Sequence, residues 1–368
     1  MITKIATPAR IAALARRELR GATVRVPADL QQAIERQTAR HDPRALALAA
    51  SGLSDRYREA NFARAAMRSA VDYAAYLAVR MPATFAAVSA ALAQARQLAP
   101  EVQVRTVLDL GAGPGTASWA TAVLFPDLER VMCVERDAQL CQLGCALMSG
   151  AESEALRNAQ WQASALEQPL PDAQFDLVVL SYSFGELAAK EAENALRRAW
   201  NSTAHWLAVI EPGTKPGYAN VARARELLVA EAAHLLAPCP HELQCPMQGS
   251  KKLSSAPHSL SPLPLTERAE LRPGDWCHFS VRLERSGEHR RLKSGELGYE
   301  DEKFSYIVVS REECTRAAAR VVRHPMRYSG YTQLELCTPE GLQKKTVTRS
   351  QKEAWRTVRK TDWGDAWD

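Results

Sequence analysis

The stretch VLDLGAGPGTASWA, Val107 to Ala120, constrains the fold of this chain more than any other part of its sequence. An apolar, strand-like run enters Asp109-Leu110-Gly111-Ala112-Gly113-Pro114-Gly115, and small residues with a tryptophan follow at helical spacing. Glycines at such a junction let the backbone turn sharply and approach a ligand closely. In an open α/β sheet, the carboxyl end of a strand is where ligands bind. The surrounding text agrees. From Val104 to Glu211 the short apolar segments RTVLDL, RVMCVE, AQWQAS, FDLVVLSY and WLAVIEPG alternate with helix-length segments, which predicts a parallel sheet covered by helices.

Two cofactor classes use a glycine loop at this place. A dinucleotide site wants GxGxxG, and the frame starting at Gly113 puts Ser118 where the last glycine is required. LDLGAGPGT instead resembles the first motif of class I S-adenosylmethionine-dependent methyltransferases. The resemblance implies that the loop bends under the methionine portion of the cofactor. It also implies that Glu135, 24 residues after Gly111, holds the ribose hydroxyls, a task suited to a carboxylate because it accepts from two donors at once. The implied cofactor set is Asp109, Gly111, Ala112, Gly113, Gly115, Glu135, Ser164 and Ser181. FDLVVLSYSFGEL resembles the fourth motif of that fold, whose strand end faces the transferred methyl. Amino-directed nucleic-acid methyltransferases carry Asn or Asp, Pro, Pro and an aromatic there, whereas this chain has Ser181-Tyr182-Ser183-Phe184. No catalytic residue is therefore assigned. Tyr182 and Glu186 are candidates to orient a substrate, and the plainer alternative is a packed tyrosine and a glutamate at a helix start.

The second signal is cysteine. Cys239 and Cys245 in PCPHELQCP are separated by five residues, Cys277 lies in DWCHFS, and Cys337 closes LELCTP. Each lies in loop-like text or at a strand end, whereas Cys133, Cys141 and Cys145 fall within a strand or the following helix and read as small apolar residues. Cys314 reads as helical. Four thiolates suit zinc or an iron-sulfur cluster, with His241 and His278 as alternative ligands, but the spacing is not CxxC and leaves four unrelated cysteines open.

LDLGAGPGT, PCPHELQCP, DWCHFS, FSYIVV, LELCTPEG and the ending RKTDWGDAW occur in this order. In that combination the chain resembles the methyltransferase-like family of small-ribosomal-subunit proteins, which has bacterial members and a mitochondrial, mitoribosome-assembling branch. The resemblance implies a 4Fe-4S cluster on Cys239, Cys245, Cys277 and Cys337, with zinc as the alternative, and association with small-subunit ribosomal RNA. It implies the cytoplasm for a bacterial member and the mitochondrial matrix for a eukaryotic one.

A third signal is basic. Lys344, Lys345, Arg349, Lys352, Arg356, Arg359 and Lys360 are interleaved with Trp355 and Trp363, and HFSVRLERSGEHRRLK adds a second strip. Cations for phosphates with aromatics for stacking suit RNA, against the alternative of a solvated helix that caps the domain. The net charge of +5 fits a polyanionic partner. The longest apolar runs are far too short to span a bilayer, and a monomer without membrane attachment is expected. The opening MITKIATPARIAALARRELRG reads as a basic surface helix rather than a presequence.

The expected architecture is α/β. A helical N-terminal domain (1–98) precedes a Rossmann-like class I methyltransferase sheet (99–236) and a cysteine-bearing, metal-binding insertion (237–298). The final strands of the core (299–348) and a basic C-terminal tail (349–368) follow. Two functions fit: a methyltransferase acting on small-subunit rRNA, or a non-catalytic assembly and RNA-binding factor that uses cofactor and cluster structurally.

Overall fold

The computed structural model describes residues 23–58, 67–248, 274–293 and 295–367. The basic opening segment lies outside them, as does the stretch 249–273 of the expected insertion. Strand β1 (Thr106–Leu110) is central to an eight-stranded sheet, flanked in parallel by β2 (Arg130–Glu135) and β4 (Phe175–Ser181). Outside these, β3 (Gln160–Ala163) pairs with β2 and β5 (Thr203–Pro212) pairs with β4, again in parallel. Next to β5 runs β8 (Tyr299–Ser310), antiparallel, followed by β6 (His234–Ala237), while β7 (Phe279–Glu284) forms a hairpin with the first half of β8. The order β3-β2-β1-β4-β5-β8-β6 is the expected Rossmann-like, parallel-dominated α/β sheet with one reversed strand near its edge.

Both faces of this sheet are covered, so its strands are apolar at nearly every position rather than at alternate ones. Leu177, Val179, Trp206, Ala208, Ile210 and Val308 pack into one core with helices Met81–Leu98 and Thr116–Leu124. Their neighbours Val178, Leu180, Leu207, Val209, Ile307 and Val309 feed the opposite core under helices Ala189–Asn201 and Lys215–Ala230. The first of these helices forms because Ala192, Ala195, Leu196, Ala199 and Trp200 recur on one face while charges fill the other.

The helical N-terminal region comprises Ala28–Thr38, Pro43–Arg58, Ala70–Val79 and Met81–Leu98. The last two of these helices break at Arg80. Pro82 sits in the first turn of the following helix, where its missing N–H has no intrahelical partner to lose, and the two helices bend by 41°. Residues 81–98, read from sequence as part of a separate helical domain, share one core with the sheet instead: Phe85, Val88, Ala91 and Leu92 are buried there. Among the described residues no single helix is long and apolar enough to cross a membrane.

Residues 319–367 depart from the expectation that 299–348 completes the main sheet, because only β8 does so. β9 (Ala319–Val321), β10 (Met326–Arg327), β11 (Tyr331–Thr338), β12 (Gly341–Thr348) and β13 (Ala366–Trp367) form a second sheet. The reason lies in their period. β11 buries Thr332, Leu334 and Leu336 at every second position, the pattern of an antiparallel sheet with one covered face, not of a strand buried on both. Helix Lys352–Val358 covers that face through Val358, Ala354 and Trp355. The segment 349–367 is therefore part of this sheet and not a tail. Cys314, expected on a helix, lies in the irregular crossing between the two sheets, with its thiol 3.7 Å from the Leu235 carbonyl.

Candidate functional site

The glycine loop is shaped by three left-handed residues, of which two are informative. Gly111 has φ +65°, and a Cβ there would lie 2.4 Å from the Ser183 Cβ, so the loop and the end of β4 approach as closely as backbone allows. Gly113, at φ +55°, faces open space with only the Tyr76 hydroxyl at 3.8 Å. Glu135, at the end of β2, holds the loop: its Oε2 accepts the Gly113 N–H at 2.9 Å and its Oε1 accepts the Asp137 N–H at 2.9 Å. Each carboxylate oxygen keeps one lone pair for a further donor.

A cavity of about 250 Å³ opens over this loop. Of the expected cofactor set, Gly111, Ala112, Gly113, Glu135, Ser164 and Ser181 line it. Asp109 and Gly115 do not. Asp109 is fully buried beneath the loop, where its Oδ2 accepts both the N–H and the hydroxyl of Ser118 at 2.9 Å and so ties β1 to helix Thr116–Leu124. Gly115 caps that helix at φ +82°, with Met148 packed where a side chain would go. Tyr182 and Glu186 also line the cavity. Tyr182 sits at the strained φ of 56° and its hydroxyl donates to Glu302 at 3.0 Å, while Glu186 accepts from Arg136 at 3.0 Å. Sequence reading missed the opposite wall, formed by Tyr76, Arg80 and Thr84 from the N-terminal helices.

Burial pushes the Asp109 carboxyl up from 3.8 to about 6, against the two Ser118 hydrogen bonds that pull it down. Its folded pKa exceeds its unfolded one, so the stability it favours is present below about pH 4 and lost as pH rises through about 6. Roughly two units correspond to about 3 kcal/mol. Urea melts of wild type and Asp109→Asn should therefore diverge by about that much between pH 4 and pH 7, wild type losing the stability that the neutral variant keeps. A difference independent of pH contradicts this account.

The four expected metal ligands are brought to one half-buried region from three places. Cys239 and Cys245 lie on the loop after β6, Cys277 lies just before β7, and Cys337 is on β11. Burial, and then mutual repulsion, pushes Cys277 up, with Cys245, Cys239 and Cys337 all contributing. The same holds for Cys337, pushed up by burial and by Cys239 and Cys245. Two buried arginines adjoin the thiols. Arg225 donates to the His241 and Leu243 carbonyls at 3.0 and 2.5 Å; Arg320 donates to the Pro238 and Gly364 carbonyls and to the Gln94 side chain. Neither uses a carboxylate, and the Arg225 Nε has no partner. His241 Nε2 is 3.8 Å from the Cys337 sulfur, whereas His278 turns to the Trp276 carbonyl and stacks on the Trp276 ring. Among the described residues, no three His, Cys, Asp or Glu side chains are spaced to share a single ion. Cys133 and Cys141 are buried within the Rossmann-like half, away from this group, and Cys145 is exposed.

The tryptophans of the basic segment are not free to stack. Trp355 packs on the second sheet, and Trp363 is wedged edge-on between His278 and His324 at centroid distances of 4.9 and 4.8 Å. Each ring buries part of its apolar surface, Trp355 on the small second core and Trp363 on the main one, rather than leaving it in water.

The family model described as mitochondrial small ribosomal subunit Rsm22 matches residues 70–261 and 247–368. The chain belongs to the Rsm22 family. Relatives of this Rsm22-family chain include the mitochondrial ribosome assembly protein METTL17 of Homo sapiens, 29% identical over 308 residues, with 79% of this chain and 61% of that protein covered. The Rsm22-cox11 tandem protein 2 of Schizosaccharomyces pombe is 26% identical over 318 residues, 79% of this chain and 42% of the relative. The chain thus spans less than two thirds of either. Among solved structures, the precorrin-6y C5,15-methyltransferase of Geobacter metallireducens is similar at 14% identity and TM-score 0.36, covering 61% of this chain and 87% of that one.

Proposed function

We propose that this Rsm22-family chain binds S-adenosylmethionine under the glycine loop, holds a 4Fe-4S cluster on Cys239, Cys245, Cys277 and Cys337, and acts on the small ribosomal subunit through its RNA. The observation that carries the cofactor reading is the pairing of Glu135 with the Gly113 N–H. It fixes a carboxylate with two spare lone pairs beside a bare backbone loop, the arrangement a ribose diol and an adjoining chain need. For the cluster, the donor set fits: Cys337 is buried and Cys239, Cys245 and Cys277 are half-buried, and they adjoin two buried guanidiniums with no carboxylate partner, whose charge an anionic cluster on four thiolates would balance. A bound cluster would supply a cross-link between the main sheet and the second sheet.

Of the two functional readings, the assembly factor is favoured by the end of β4. A transferase acting on a protic acceptor needs a group free to take its proton. Here the Tyr182 hydroxyl is committed to Glu302, Glu186 to Arg136, and Asp137 to its helix cap and to Tyr73. The human and fission-yeast relatives are named as mitochondrial, one of them for ribosome assembly, which supports the same role in the matrix for a eukaryotic chain and in the cytoplasm for a bacterial one. The test has three arms. Calorimetry should find one S-adenosylmethionine site per chain, and cross-linking in cells should recover small-subunit rRNA. Mass-spectrometric mapping of that rRNA from a deletion strain should show every methyl group retained; a lost one restores the catalytic reading.

A further inference from the structure

Strand β11 has Cys337 near one end and Tyr331 at the other. Around the Tyr331 end, a cavity of about 350 Å³ is lined by Arg327, Tyr328, Thr332, Arg349, Trp355 and Arg359, and no carboxylate lines it. Among the described residues none of the three arginines has an acidic partner. Arg327 donates to the Thr361 carbonyl at 2.6 Å, and the Arg349 guanidinium lies 5.9 Å from the Trp355 ring centre. At the rim, Tyr328 and Tyr331 stack on each other, centroids 4.5 Å apart and planes 20° apart, although they are 48% and 37% exposed. The turn that joins them is closed by the Tyr328 N–H on the Tyr331 carbonyl at 2.9 Å, so the rings are ordered before any ligand arrives.

We infer that this corner of the second sheet is a single-stranded RNA site, with the Arg327, Arg349 and Arg359 guanidiniums on a phosphate and the Tyr328–Tyr331 stack extended by a base. The inference rests on the RNA reading above and locates it. Three exposed guanidiniums without an acidic partner around one cavity make a concentrated positive surface that suits a phosphate. An exposed aromatic pair beside them suits unstacked bases, because stacking on tyrosine accepts any base. A duplex keeps its bases inside and offers the rings nothing. An acidic peptide would answer the arginines and leave the tyrosines without a role. Trp363 is wedged between two imidazoles and Trp355 lies half-buried in the cavity wall beside Arg349, so the exposed stacking surface comes from the turn between β10 and β11.

The experiment is fluorescence anisotropy with a labelled single-stranded oligoribonucleotide across a salt series, using the full chain. Arg349→Gln with Arg359→Gln should lower the slope of log affinity against log salt by about 0.7, the value of one phosphate contact on a single strand. Tyr328→Ala with Tyr331→Ala should leave the slope unchanged and weaken binding at least about fivefold, from a stacking contribution of roughly 1–3 kcal/mol per base. The double Phe variant should bind as wild type. Wild-type binding that no variant alters overturns this site and leaves the RNA reading standing; a wild type that binds no RNA overturns both. A glutamate-rich peptide that displaces the oligonucleotide as well as unlabelled RNA does also overturns the assignment, in favour of an acidic protein partner.

Discussion

Replacing Cys337 by Ser should bleach the anaerobically purified protein, remove its iron and acid-labile sulfide, and lower its thermal midpoint by on the order of 10 °C. The size follows from connectivity. Cys239 and Cys245 follow the edge strand β6 of the main sheet, Cys277 precedes β7, and Cys337 belongs to the second sheet. The native contacts between these parts in that region are few: Met247, Val322 and Cys337 form a small core with Cys245, Cys277, Tyr218 and Leu342 at its margin. Metal–thiolate free energy placed there becomes folding free energy for the second sheet. Without the thiolates, Arg225 and Arg320 are left as buried charges, which adds to the loss. Ser at Cys239, Cys245 or Cys277 should act alike. Cys141→Ser and Cys314→Ser should keep colour and iron, since the first lies on helix Ala138–Met148 and the second packs on the main core with its thiol toward the Leu235 carbonyl. A colourless anaerobic preparation with one zinc per chain sinks the cluster, and iron content unchanged in all four variants sinks the ligand set.

The turn of the glycine loop is legible in the sequence because its information is local. Gly111, Gly113 and Glu135 lie within one strand-loop-helix-strand unit, and the turn they need leaves little choice of residue. The wall that faces them was not legible. Tyr76, Arg80 and Thr84 come from helices whose apolar periodicity reports only that they are buried, and their polar members carry no motif. The same limit applies to Arg225 and Arg320, ordinary basic residues in sequence that tertiary packing sets among the thiols. Text such as YTQLELC reads as a strand whichever sheet it joins, so assigning 319–348 to the main sheet failed on partner choice rather than on secondary structure. Trp355 and Trp363 looked available for bases because linear charge interleaving hides which side a residue faces. The exposed pair, Tyr328 and Tyr331, precedes the basic strip that begins at Lys344.

Substituting Glu135 by Ala should weaken S-adenosylmethionine binding by on the order of 100-fold or more, because one side chain does two things. Its Oε2 and Oε1 accept the Gly113 and Asp137 amides, fixing the loop against the start of the next helix, and their remaining lone pairs face the cavity. Alanine removes the acceptor for the ligand and leaves both amides without their charged partner; each such bond contributes about 1.5–3 kcal/mol. Glu135→Gln should fall between, since an amide keeps one acceptor oxygen and presents a donor where the second carboxylate oxygen stood. Gly113→Val tests the same site by a different force. At φ +55° a β-branched residue is strained whatever the space around it, and its Cβ would stand between the loop and the Tyr76 hydroxyl, in the volume the ligand needs. The loop itself should survive Gly113→Val better than Gly111→Val, whose side chain would run into Ser183. Calorimetric titration of both Glu135→Ala and Gly113→Val decides the matter: affinities equal to wild type in the two variants, with unaltered thermal melts, would place the cofactor elsewhere or nowhere on this chain.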